Sequence, residues 1–153
     1  MSSLNTRASS ALEFIPPNFN PLVLQSVKLL LPWWLKFQTS ISHVEAENLE
    51  TLANLYQQFD EGKARILMAF RHPSIDDPLC MGQMVWKLLP AAAEKQGISL
   101  KSPVHSHFIY DRGIPLWAGS AVGWLYSQLG GTPIIRGRLD RVGLRSARDL
   151  LLN

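Results

Sequence analysis

Three short apolar runs set among helical stretches constrain this chain more than any other feature. "ARILMAF" at 64–70, "VHSHFIY" at 104–110 and "TPIIR" at 132–136 have the length of strands, and the first reads as a buried one. Helical patterns alternate with them. "VEAENLETLANLYQQF" sets Leu49, Leu52, Ala53, Tyr56 and Phe59 at three- and four-residue steps, with Glu45, Glu47 and Glu50 near its positive end. "PLCMGQMVWKLLPAAAEKQG" is helical up to Gly97 with Pro90 as a point of kinking, and "PLWAGSAVGWLYSQLG" and "RVGLRSARDLLL" complete the set. Strands alternating with helices of this length need crossover connections. The expected class is therefore α/β, a mostly parallel sheet with flanking helices.

At 153 residues the chain suits one domain with a real core. The first twenty residues are rich in Ser and Asn, contain Pro16-Pro17 and lack the apolar centre of a secretory signal, so 1–20 reads as a flexible arm. Residues 21–40 follow as an apolar helix, and 41–153 as the α/β domain. "PLVLQSVKLLLPWWLKF" is the most apolar window, yet Gln25, Lys28, Pro32 and Lys36 interrupt it, and a spanning helix needs about 20 mainly apolar residues. Trp33 and Trp34 beside Lys36 suit a lipid headgroup layer, where an indole buries its ring and keeps its N–H wet. The same segment also suits a core-covering helix.

Charge excludes little by its total of +3, which is too small to argue for nucleic acid. Its distribution is uneven: residues 1–40 carry +2, 41–100 carry −3 and 101–153 carry +4. Arg141, Arg145 and Arg148 make a basic face on the last helix, read either as solvated surface or as attraction to anionic lipid or substrate. Cys80 is the single cysteine and cannot form an internal disulfide, which suits a reducing, cytoplasmic setting. His105 and His107 lack a third ligand, so no metal site is expected. Gly119 and Gly123 allow close backbone approach on one helix face, for plain packing or for the wall of an acyl-chain pocket. A serine-nucleophile elbow, a phosphate loop and a dinucleotide fingerprint are absent from the sequence.

The chemistry concentrates in "AFRHPSIDDPLC". His72 leaves the end of the first strand, and Asp77 stands at the N-cap of the next helix with Pro78 at its first position. Ligands gather at this edge of an open α/β sheet. A carboxylate beside an imidazole holds one ring N–H and leaves the other nitrogen as a base. Spacing leaves a plainer reading open, with Asp77 only a cap and His72 a polar residue at a strand end.

"HPSIDD", with His72, Ser74 and Asp77 as H-x-S-x-x-D, resembles the HxxxxD block of the 1-acylglycerol-3-phosphate acyltransferase family. "GGTPIIRGRLDR" is similar to the family's second block, with Arg136 as its arginine, and the apolar segment at 21–37 looks like its membrane-docking N-terminus. The resemblance covers roughly residues 21–150. It departs where Arg71 replaces a frequent Asn, where Pro133 replaces a frequent aromatic, and where the Glu-Gly-Thr or Glu-Gly-Ser block is missing, so an incomplete catalytic domain is expected. The resemblance implies a glycerolipid-acyltransferase-like fold and acyl transfer from acyl-CoA or acyl carrier protein to a glycerol-phosphate or lysophospholipid hydroxyl. His72 would be the general base, Asp77 its orienting acid, Arg136 and Arg138 the phosphate-binding cations, and Ser74 a further substrate-side residue. It implies no metal or organic cofactor, and a peripheral place on the cytoplasmic side of a membrane.

Overall fold

The computed structural model describes residues 12–71, 74–137 and 139–152. The chain divides into two compact units, Asn20–Ser106 and the pairing of Met1–Phe19 with His107–Asn153. The expected boundary at 40/41 is therefore replaced: the apolar helix belongs with the residues that follow it, up to Ser106.

In the Asn20–Ser106 unit, helix α1 spans Pro21–Gln38. Asn20 opens it, its Oδ1 accepting the N–H groups of Leu22 at 3.0 Å and Val23 at 3.4 Å, with Pro21 at the first helical position. Thr39 closes it by donating Oγ1–H to the Leu35 carbonyl at 2.7 Å. Leu24, Leu31 and Leu35 form its buried stripe, while Leu22, Leu29, Leu30, Trp33, Trp34 and Phe37 face solvent. Both readings of this segment thus have a face of the helix. Among the described residues, no helix is long and apolar enough to cross a membrane.

Helix α2 (Leu49–Asp60) packs on α4 (Leu89–Lys95) around Ala53, Tyr56, Val85, Leu89 and Ala93, the core of this unit. Helix α3 (Asp77–Gln83) runs through one π-helical turn, Met84–Leu88, into α4. The expected disturbance at Pro90 takes that form: the Leu89 N–H reaches back five residues to the Met84 carbonyl, and the wider turn accommodates a proline that has no N–H and crowds the preceding turn.

The expected strand at 64–70 is corrected, because these residues join no ladder. Ala64, Ile66 and Met68 are partly buried, the latter two against the core, while Arg65, Leu67 and Ala69 face solvent. The run lays one face on helices instead of burying both in a sheet. Residues 104–107 also lie before the strand they were expected to open. Val104 packs on the same core, His105 accepts a bond from Trp86 and Ser106 pairs with the Tyr56 hydroxyl.

The other unit carries β1 (Phe108–Asp111) and β2 (Gly131–Ile134), paired parallel with Phe108 opposite Gly131 and Asp111 opposite Ile134. Helices α5 (Ile114–Ala118) and α6 (Ser120–Gln128) connect them, and α7 (Arg141–Leu152) follows β2. Gly119 takes φ +98° between α5 and α6, so the two glycines expected on one helix face are separated by a helix break. A Cβ on Gly123 would come within 2.8 Å of Ile15 and 2.9 Å of Pro115, which settles that glycine as packing. Trp117 and Trp124 are exposed. The flexible arm is corrected over 12–19: Asn18 donates to the Ser127 carbonyl at 2.9 Å, Ser127 Oγ donates to the Pro16 carbonyl at 2.6 Å, and Phe14 lies under the Arg112 guanidinium. Residues 1–11 lie outside the described residues. The architecture is mixed helix and strand, with a parallel sheet of two strands among the described residues.

Candidate functional site

The acid of the HxxxxD block is held by its own turn. Asp77 Oδ2 accepts the Ser74 backbone N–H at 2.9 Å, and Ser74 Oγ accepts the Asp76 N–H at 3.2 Å. The two bonds tie off the turn that precedes α3 in the manner of a capping box: the serine hydroxyl covers the N–H two residues on, and the acid three residues on covers the serine's own. The helix thus begins one residue earlier than expected, with Asp76 at the N-cap position and Asp77 already the first residue of α3. One Asp77 oxygen is committed to Ser74, and the half-buried carboxylate has a second oxygen with which to accept a further N–H.

His72 and Arg138 lie outside the described residues, so the His72–Asp77 pairing and the second phosphate cation stay as sequence expectations. Cys80, one turn into α3, has its thiol pushed up by burial and then by the negative charges of Asp77 and Asp76. That disfavours the thiolate.

The arginine of the second block emerges at the end of the parallel pair. Arg136 stands two residues past β2 with its side chain 67% exposed, and its Nε lies 3.2 Å from Asp111 Oδ2 at the end of β1. The turn that carries it is anchored from below. Asp140 Oδ2 accepts from Arg112 Nη2 at 2.5 Å and from the Ile135 N–H at 3.0 Å, while its Oδ1 caps α7 at the Gly143 N–H, 3.1 Å away. Arg112 and Asp140 have side chains only 8% and 6% exposed. Burial alone would raise the Asp140 carboxyl, but the Gly143 and Ile135 N–H groups and the Arg112 guanidinium together hold it below the usual carboxylate range.

Asp111 and the Arg112–Asp140 pair were not among the expected site residues. Asp140 had a signal, since an Asp immediately before a helical pattern is a capping position. The pairing with Arg112 crosses 28 residues and leaves no mark in local pattern.

Ser74 and Asp77 are brought together, while Arg136 belongs to the other compact unit. Among the described residues, open grooves of about 550 and 570 Å3 lie between Phe14 and α7 and between the residues before α2 and α4. Neither is lined by Ser74, Asp77 or Arg136. Trp86 Nε1 donates to His105 Nδ1 at 3.1 Å, and an indole N–H can only donate, so that ring nitrogen is the acceptor. Among the described residues no three His, Cys, Asp or Glu side chains are grouped to hold a metal. No protein-family model, curated protein or solved structure matches the chain.

Proposed function

We propose that this chain carries the His-Asp part of an O-acyltransferase that moves an acyl group from acyl-CoA or acyl carrier protein to a hydroxyl of a glycerol-phosphate or lysophosphatidate-type acceptor. The work would be done at the cytoplasmic face of a membrane. The observation that supports the reading is the turn before α3, in which the Ser74 N–H engages one Asp77 oxygen, a bond a mere cap would also make, and the second oxygen can accept a further donor.

In this reading the second Asp77 oxygen holds an N–H of the His72 imidazole, and the opposite ring nitrogen takes the proton of the attacking hydroxyl. The alcohol oxygen adds to the thioester carbonyl, the carbon–sulfur bond breaks, and the imidazolium returns its proton to the leaving thiolate. Ser74 is assigned a different part from the one first expected: its hydroxyl and N–H build the turn that orients Asp77. Within its own unit Arg136, exposed beyond β2, presents a guanidinium fork suited to a phosphate, with Arg138 the second cation that the resemblance implies. The exposed apolar and aromatic face of α1 supports a lipid surface as the place of work.

That same face supports a second reading, a peripheral lipid-binding protein without turnover. Acyl-CoA supplied, on vesicles containing lysophosphatidate, to the protein expressed with any further sequence its reading frame encodes separates the two. Phosphatidate formed in step with free CoA is the expected result, whereas vesicle binding with no acyl product leaves only the binding protein.

A further inference from the structure

We infer that Asp111 is a positioning residue that turns the Arg136 guanidinium toward a phosphate monoester, a step that rests on the reading of Arg136 as the phosphate-binding cation. Asp111 and Ile134 are opposite one another at the ends of β1 and β2, so Asp111 and Arg136 leave the sheet at the same edge. Asp111 is itself held, because its Oδ1 accepts the Gly113 N–H at 2.7 Å. Its other oxygen, Oδ2, forms an ion pair with Arg136, 3.2 Å from Nε. The residue before Arg136 is fixed too, through the Ile135 N–H on buried Asp140.

A guanidinium has five N–H donors in one plane, and a carboxylate on the Nε side leaves the terminal edge pointing the other way. The two terminal nitrogens of Arg136 have no partner among the described residues, and that edge suits two oxygens of one phosphate. The pair is half-exposed on the Asp111 side and more so on the Arg136 side, so it adds little stability as an ion pair. What the pair does is bias direction: a long side chain that would otherwise sample many rotamers spends more of its time aimed one way before the ligand arrives.

The sign of one substitution tests this. Simple electrostatics says that removing a carboxylate beside an anion site strengthens anion binding, whereas loss of orientation weakens it. Calorimetric titration with glycerol 3-phosphate in solution, and with lysophosphatidate in neutral vesicles, reads the affinity from a free and from a membrane-borne phosphate. Arg136→Ala is expected to weaken binding about tenfold or more. Asp111→Ala is expected to weaken it about two- to fivefold, Asp111→Asn less, and the Asp111→Ala/Arg136→Ala double variant no more than Arg136→Ala alone. Unchanged melting temperatures accompany these results. Binding that falls in Arg136→Ala but rises in Asp111→Ala, or a double variant with fully additive loss, overturns the positioning role while Arg136 keeps its own. Wild-type protein that binds neither phosphate, or Arg136→Ala that binds like wild type, removes the role of Arg136 and the inference with it.

Discussion

Asp77 has two separable duties, and a carboxamide tells them apart. Asn can still accept the Ser74 N–H, so Asp77→Asn is expected to keep the melting temperature within the error of the wild type while losing most acyl transfer, since a neutral amide cannot stabilise an imidazolium. Asp77→Ala loses the cap as well and is expected to cost about 0.5–2 kcal/mol, read from denaturant midpoints. A fully active Asp77→Asn would leave the acid with only its capping duty. Asp140 gives the chain a pH dependence of definite sign. Its folded pKa lies below the unfolded one, so its contribution is complete above the unfolded value of about 3.9 and drains away as pH falls through the lower folded value. Melting temperature is therefore expected to fall on acidification below about pH 4. Asp140→Asn is expected to flatten the response there and to lose about 3–5 kcal/mol at neutral pH, because Arg112 is left buried without its counter-charge. A variant as stable as wild type at neutral pH contradicts that role.

Secondary elements were legible in the sequence to the extent that local chemistry decides them. Asn20-Pro21 at the start of α1, the three- and four-residue steps of α2 and the stretch after Asp140 all carry their own start signals or periodicity, and each became a helix. The run at 64–70 did not reveal itself, since apolar composition states that a segment is buried somewhere but not whether helices or strands cover it. The helix over 115–130 concealed a break because Gly119 reads in sequence as a packing glycine, and only its positive φ marks it as a corner. Helix α1 offers the clearest test at this scale. Trp33→Glu/Trp34→Glu changes two exposed rings without touching Leu24, Leu31 or Leu35, so the fold should hold while vesicle binding falls about tenfold or more. Salt should weaken wild-type binding only in part, because the contact is mainly apolar. Flotation with liposomes reads both, and unchanged flotation of the double variant would assign the face to something other than lipid.

For the whole molecule, a mixture of helix and strand was readable from alternation, whereas the strand expected at 64–70 and the division into units were not. Residues 12–19 are bound to α6 and Arg112 from more than ninety positions away, through Ser127 Oγ, the Ser127 carbonyl and the Phe14 ring. No local pattern encodes such a return of the chain. The candidate site was legible in the same uneven way: the H-x-S-x-x-D spacing pointed to Ser74 and Asp77, whereas the neighbours of Arg136 come from another strand and had to be seen in three dimensions. The most direct measurement is the initial rate of thioester-dependent acylation of lysophosphatidate on vesicles, comparing the protein expressed from its complete reading frame with its His72→Ala variant. Loss of the general base is expected to lower that rate by about 10²–10⁴-fold with the melting temperature unchanged. A His72→Ala variant that transfers acyl groups at the wild-type rate, or a wild type that makes no phosphatidate at all, contradicts acyl transfer by this chain.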